Sequence, residues 1–169
     1  MKGSDMDGID ALVSRLNATD ADVRADAAER LCRAGPAAVA AAVALVHGCG
    51  DDDDRVRDWL VAALEELGPP PEGSTPALAT LAGGPHPLVA YWAVTLLGRS
   101  GQAAAAATPT LVACLDKPLD VAVAERAAWA LGKIGPAAAA ARPALERAAA
   151  AADPRLACLA REALDSMGA

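Results

Sequence analysis

The chain has 169 residues, a net charge of −7, no phenylalanine and only four aromatics: Trp59, Tyr91, Trp92 and Trp129. The acidic balance speaks against non-specific binding of nucleic acid, which is driven by neutralising phosphates, and alanine tracts such as Pro136–Ala141 and Ala148–Ala152 fall far short of the ~20 apolar residues that cross a bilayer. Alanine is the best helix former and strand-type alternation is nearly absent, so the composition predicts an all-α chain.

In chain order, Met1–Asp10 has no apolar core and carries three aspartates, so it is not expected to be a signal peptide. Helical periodicity then predicts Asp7–Asn17, Asp22–Ala34, Ala37–His47, Asp54–Leu67, Thr75–Ala82, Leu88–Ser100, Ala103–Asp116, Val121–Ile134, Ala137–Ala151 and Pro154–Met167. These are ten helices in five pairs, with irregular stretches at His47–Asp53, Pro69–Ser74 and Ala82–Pro85. Pro109 and Pro143 fall inside predicted helices and are expected to bend them, whereas Pro76 is expected in a first turn.

The second helix of each pair follows one register. Gly35, Gly68, Gly101, Gly135 and Gly168 recur at steps of 33, 33, 34 and 33 residues. Four residues before each glycine stands Leu31, Leu64, Leu97, Leu131 or Leu164; twelve before stands Val23, Val56, Val89, Val123 or Leu156; fifteen before stands Asp20, Asp53, His86, Asp120 or Asp153. Aspartate or proline near each start suits a helix N-cap or first turn, and glycine after each end suits a C-terminal cap. The repeats run approximately 7–35, 36–68, 69–101, 102–135 and 136–168, one uninterrupted series expected as a single domain over 1–169.

The pattern Asp-x-x-Val-Arg-x-x-Ala-Ala-x-x-Leu-x-x-x-Gly at Asp20–Gly35, and Trp-Ala-Leu-Gly-Lys-Ile-Gly at Trp129–Gly135 followed by Pro143-Ala144-Leu145, resembles the HEAT repeat. The form is similar to the short bacterial repeats of phycobilisome lyase subunits and of consensus-designed helical-repeat binders. The resemblance covers Ala11 to Gly168 and implies a right-handed α-solenoid whose second helices line a concave face. Two departures stand out. The arginine after the valine is present as Arg24 and Arg57 but becomes Ala90, Ala124 and Ala157; and Arg161 replaces the small or apolar residue seen at Ala28, Val61, Val94 and Ala128, as suits a terminal cap.

Counted back from the closing glycine, positions twelve, eight, four and one form the core face, an arc of about 80° at about 100° per residue. Trp59 and Trp92 lie nine before it, Tyr91 ten before and Trp129 six before, all off that face. Exposed aromatics with a polar rim mark binding sites. The candidate partner-binding residues are therefore Arg55, Asp58, Trp59, Tyr91, Trp92, Thr95, Arg99, Glu125, Arg126, Trp129 and Lys133. The opposing expectation is that the aromatics pack between adjacent second helices and fill gaps left by alanine. Repeat one would add acidic Asp22, Asp26 and Glu29 with Arg33, and repeat five Arg155, Leu159 and Glu162.

No catalytic residue, cofactor or metal site is expected. Asp51–Asp54 reads as a loop and helix N-cap rather than a cation site, because a calcium loop needs six or more oxygens at characteristic spacing. His47, His86, Cys32, Cys49, Cys114 and Cys158 lack zinc spacing, and the cysteines read as free thiols of a reducing, cytoplasmic compartment. The function expected is a non-catalytic scaffold that binds a protein or peptide in the concave groove, with no nucleic acid and no membrane. The alternative is a lyase-type subunit holding a small planar ligand such as a tetrapyrrole, as the resemblance implies, or a small enzyme acting in the aromatic groove.

Overall fold

The computed structural model describes residues 3–168, with side chains from residue 8 onward; Met1, Lys2 and Ala169 lie outside the described residues, and with them part of the Met1–Asp10 reading. Among the described residues there are ten α-helices: α1 (Gly3–Arg15), α2 (Ala21–Ala34), α3 (Ala42–Gly48), α4 (Asp54–Glu66), α5 (Thr75–Ala82), α6 (Pro87–Arg99), α7 (Thr108–Asp116), α8 (Val121–Ile134), α9 (Arg142–Ala149) and α10 (Pro154–Ser166). There is no strand among the described residues. The even-numbered helices are the second helices of the repeat and agree with the sequence to within a residue or so at each end.

The first helices differ. Gly35–Ala41, Gly101–Ala107 and Gly135–Ala141 are 3-10 segments that precede α3, α7 and α9. The expected α-helical starts at Ala37, Ala103 and Ala137 therefore lie in tighter turns, and α7 and α9 begin only at Thr108 and Arg142. Pro109 and Pro143 stand in their first turns, where a missing N–H costs no hydrogen bond. The change of direction occurs upstream, so neither proline kinks a helix.

The residue fifteen before each glycine is the N-cap in all five repeats. Asp20, Asp53, Asp120 and Asp153 accept from the backbone N–H of Asp22, Arg55, Val123 and Leu156 at 2.8, 2.9, 3.0 and 2.7 Å. His86 does the same through Nδ1, at 3.5 Å from the Val89 N–H. At the other end, Gly35 (φ 55°, ψ −131°) and Gly135 (φ 69°, ψ −140°) occupy a region closed to side-chain-bearing residues. Gly68 does not act this way: α4 ends on Leu67 with extended backbone, φ −73° and ψ 131°.

By contacts the chain divides between Pro71 and Glu72 into two compact units. In the first, α2 and α4 lie side by side, α1 packs on α2 and α3 on α4. Leu31, Leu45, Leu60 and Leu64 are fully buried between them. The motif arginine is a loop clamp. Arg24 gives Nε and Nη2 to the Asp51 carboxylate at 2.7 and 3.0 Å and Nη1 to the carbonyls of Ala18 and Thr19 at 2.9 and 3.0 Å. Arg57 donates to the Asp51 carbonyl and pairs with Asp54. The aspartate run is thus used in arginine pairing and helix capping. The run Ala21–Gly48 is long and apolar enough, by length and composition alone, to cross a membrane. It is broken at Gly35 into two helices that both pack on α4.

In the second unit α6, α8 and α10 form one layer, in which α8 packs against both others, and α5, α7 and α9 back them one for one. Leu78, Leu97, Leu111, Leu131 and Leu145 fill the space between the layers. At the end of the layer Arg161 is exposed and donates to the Ala149 carbonyl at 2.8 Å, while Leu156 and Leu164 are half-buried. A charged residue in place of the buried Ala128 is what an outer face against water requires.

Candidate functional site

The candidate residues do not share one environment. Arg55, Asp58 and Trp59 lie on α4 of the first unit, all exposed. There Arg55 is engaged with Asp53 and Asp22, each at 2.9 Å. The others belong to the second unit and are taken by themselves.

On α6 the expectation of exposure fails for two residues. Trp92 is 6% and Thr95 4% exposed. From Val89 to Gly98, α6 is buried at every position except Tyr91. The Trp92 ring stands edge-on to Tyr91, with centroids 5.6 Å apart and planes at 87°, and Arg99 lies 5.9 Å from its centroid. Thr95 turns its hydroxyl back to the Tyr91 carbonyl at 2.8 Å, which satisfies it without solvent. Both positions lie beside the apolar stripe of α6, and a core poor in large side chains recruits the aromatic from there.

Tyr91 and Trp129 behave differently. Both are half-buried, on α6 and α8 respectively, and Arg126 joins them. Its guanidinium carbon lies 4.9 Å from the Tyr91 centroid and 5.0 Å from that of Trp129, and Nη2 donates to the Tyr91 hydroxyl. A cation shared between two rings is held by their negative faces. Lys133, one helical turn beyond Trp129, places Nζ 5.8 Å from the same indole centroid. Glu125 instead turns toward Arg155 of α10, at 3.1 Å.

The Trp129 ring is seated on the neighbouring helix by an absence of side chain. A Cβ on Gly98 would stand 2.3 Å from Cζ3 and 2.8 Å from Cε3 of that indole. Gly132, at the equivalent position of α8, lets α10 approach: a Cβ there would stand 3.1 Å from the Ala163 Cα. Two hollows open on either side of Trp129. One, of about 220 Å³, is lined by Tyr91, Ala122, Glu125, Arg126, Arg155 and Leu159 together with Trp129. The other, of about 200 Å³, lies among Gly132, Lys133, Leu159, Glu162 and Ser166.

Burial and hydrogen bonding shift several titratable groups. Burial pushes the Cys49 thiol up to about 12 and raises that of Cys114. Cys158 is raised by its hydrogen bond to Glu162. Burial, and then the charge of Arg126, hold the Arg99 guanidinium below its ordinary value. Among the described residues no group of three or more His, Cys, Asp or Glu is arranged to hold a metal ion.

Several solved structures share the fold. An engineered protein superposes with a TM-score of 0.65 at 21% identity, over 95% of this chain and 79% of its own. A second engineered protein gives 0.66 at 23% identity, over 98% of this chain and 49% of its own. A designed armadillo repeat protein in complex with the peptide (KR)4 gives 0.67 at 19% identity, over 96% and 82%. At these identities the likeness concerns the fold, an α-solenoid of paired helices. No curated protein sequence matches the chain. Residues 74–165, more than half of the chain and nearly all of the second unit, match the family model of HEAT repeats; the chain belongs to the HEAT-repeat family.

Proposed function

We propose that the chain is a non-catalytic scaffold that binds a protein or peptide on the α6–α8–α10 face of its second unit. The observation that carries this reading is the half-buried pair Tyr91 and Trp129, bridged by Arg126 and flanked by two hollows. Interface hot spots are enriched in Trp, Tyr and Arg, set beside pockets and rimmed by polar groups. A repeat fold suits this use because it offers a stacked surface with neighbouring helices at ~8–10 Å spacing. A designed armadillo repeat protein of similar fold holds a peptide. The hollow beside Trp129, about 220 Å³, is below the ~300–1,000 Å³ of sites that enclose a drug-sized ligand. It suits a single side chain of a docked segment better than the planar tetrapyrrole implied by the lyase-subunit resemblance. A cytoplasmic setting fits the scaffold reading.

The test is an affinity pull-down with wild type against Tyr91→Ala and Trp129→Ala. Loss of a hot-spot aromatic is expected to cost about 2 kcal/mol or more, roughly 30-fold in affinity. Trp92→Ala serves as the control for packing: it should cost folding stability, about 3–5 kcal/mol, as core Trp→Ala changes do. A bound set unchanged by both surface variants would sink the proposal.

A further inference from the structure

The basic residues of this chain are mostly neutralised in place. Arg24, Arg55, Arg57, Arg147 and Arg155 each stand against a carboxylate. Arg142 and Arg161 bond backbone carbonyls instead. Among the described residues, in a chain with an excess of acids, Lys117, Arg126 and Lys133 are in no ion pair, the last two being those on the aromatic face. Arg126 and Lys133 are laid on aromatic rings instead. The acids that line these hollows are bonded within the face: Glu125 pairs with Arg155 at 3.1 Å, and Glu162 accepts from the Cys158 thiol at 3.4 Å.

We propose that this face is a docking site for an acidic peptide segment, whose carboxylates meet Arg126 and Lys133 while an apolar side chain enters the hollow beside Trp129 and Leu159. The inference rests on the partner reading above and adds the sign of the partner's charge. Gathering like charges on one face costs energy that an incoming carboxylate relieves. The Arg126 fork is already held by two rings and the Tyr91 hydroxyl, so little side-chain freedom is lost on binding. The Tyr91 hydroxyl accepts from Arg126 and keeps its own proton to give to a carboxylate. An extended nucleic acid is disfavoured, because the net charge of −7 repels a long polyanion. The peptide (KR)4, held by a protein of similar fold, carries the opposite charge and is the natural control.

The experiment is selection of random displayed peptides on the purified full chain. Fluorescence anisotropy then follows with an Asp/Glu- and Leu-containing peptide from the selection, with (KR)4, and with a single-stranded oligonucleotide. The selected peptides are expected to be rich in Asp and Glu. The acidic peptide should bind at least about tenfold more tightly than (KR)4 and weaken as salt rises. Arg126→Gln should weaken it by about tenfold or more, and Lys133→Gln, an exposed change that spares the packing, by about threefold to fivefold. Enrichment of basic or neutral peptides would overturn the charge assignment and leave partner docking standing. No enrichment at all would remove docking itself. An oligonucleotide that binds as tightly as the acidic peptide, or a Lys133→Gln variant with unchanged affinity, would also overturn the proposal.

Discussion

Replacing Gly98 by alanine tests whether Trp129 is seated where the structure puts it. Gly98 lies in the last turns of α6, where alanine should stabilise by about 0.5–1 kcal/mol through helix propensity alone. The new methyl group would stand 2.3 Å from Cζ3 and 2.8 Å from Cε3 of Trp129, and 3.1 Å from the Ala130 Cα. The indole must therefore leave its seat, at an overpacking cost of about 1–3 kcal/mol. The net expectation is a loss of roughly 0.5–2 kcal/mol for Gly98→Ala. In a Trp129→Ala background the main obstacle is gone, and the same change should be neutral or stabilising, limited only by the Ala130 backbone. The double-mutant cycle should give a coupling of about 1–2 kcal/mol, read from urea denaturation followed by circular dichroism. A stabilising Gly98→Ala in the wild-type background, or a coupling near zero, would refute the seating of Trp129 on α6.

Two further outcomes follow from the titratable groups. Asp51 is held below the usual carboxylate range chiefly by its hydrogen bonds with Arg24, and Asp53 is lowered to about 2 chiefly by Arg55. A depressed carboxylate contributes stability that is fully present above the unfolded value, about 3.9, and is lost as pH falls through the folded one. The melting temperature should thus fall between about pH 4 and pH 2, and Asp51→Asn should flatten that fall; an unchanged slope would show the clamp to be inert. For the thiols, burial should keep Cys49 and Cys114 unlabelled by iodoacetamide at neutral pH until the chain unfolds. Glu162→Gln should speed labelling of the exposed Cys158 by lowering its pKa, and equal rates in both forms would contradict the Glu162 contact.

The fold was legible because each repeated residue type has one physical task. Aspartate fifteen before the glycine caps the second helix, and histidine at that place in the third repeat does the same through its ring nitrogen. The leucine four before the glycine is fully buried in the first four repeats and half-buried in the last, as a terminal repeat should be. The 3-10 segments were not legible. Their sequences, Gly-Pro-Ala-Ala-Val-Ala-Ala, Gly-Gln-Ala-Ala-Ala-Ala-Ala and Gly-Pro-Ala-Ala-Ala-Ala-Ala, are good α-helix formers beyond the opening glycine and proline. Local propensity does not register the tight turn that brings a first helix back over a second. Pro109 and Pro143 mark where the α-helix proper begins, and helical periodicity alone, which does not separate a 3-10 turn from an α-helix, sets them in a helix interior.

The site was half legible for a related reason. A helical wheel assigns a direction to each side chain, but burial depends on what lies in that direction. Trp92 and Thr95 point off the core stripe of α6, and both are buried. Tyr91 and Trp129 remain half open, and what distinguishes them is visible only once α6 and α8 are side by side, with Arg126 reaching from one helix to the hydroxyl on the other. One signal was nevertheless available. Gly98 and Gly132 sit inside second helices at a register where the other repeats carry Cys32, Glu65 and Asp165. A glycine in a helix interior forfeits stability unless something occupies the place of its side chain. Here one makes room for the ring of Trp129 and the other for the backbone of α10. Both lie in the repeats that carry the cationic aromatic face. Packing Trp129 down on Gly98 and holding Arg126 between two rings fixes the geometry of that face in the free chain, which would lower the ordering cost of the proposed docking.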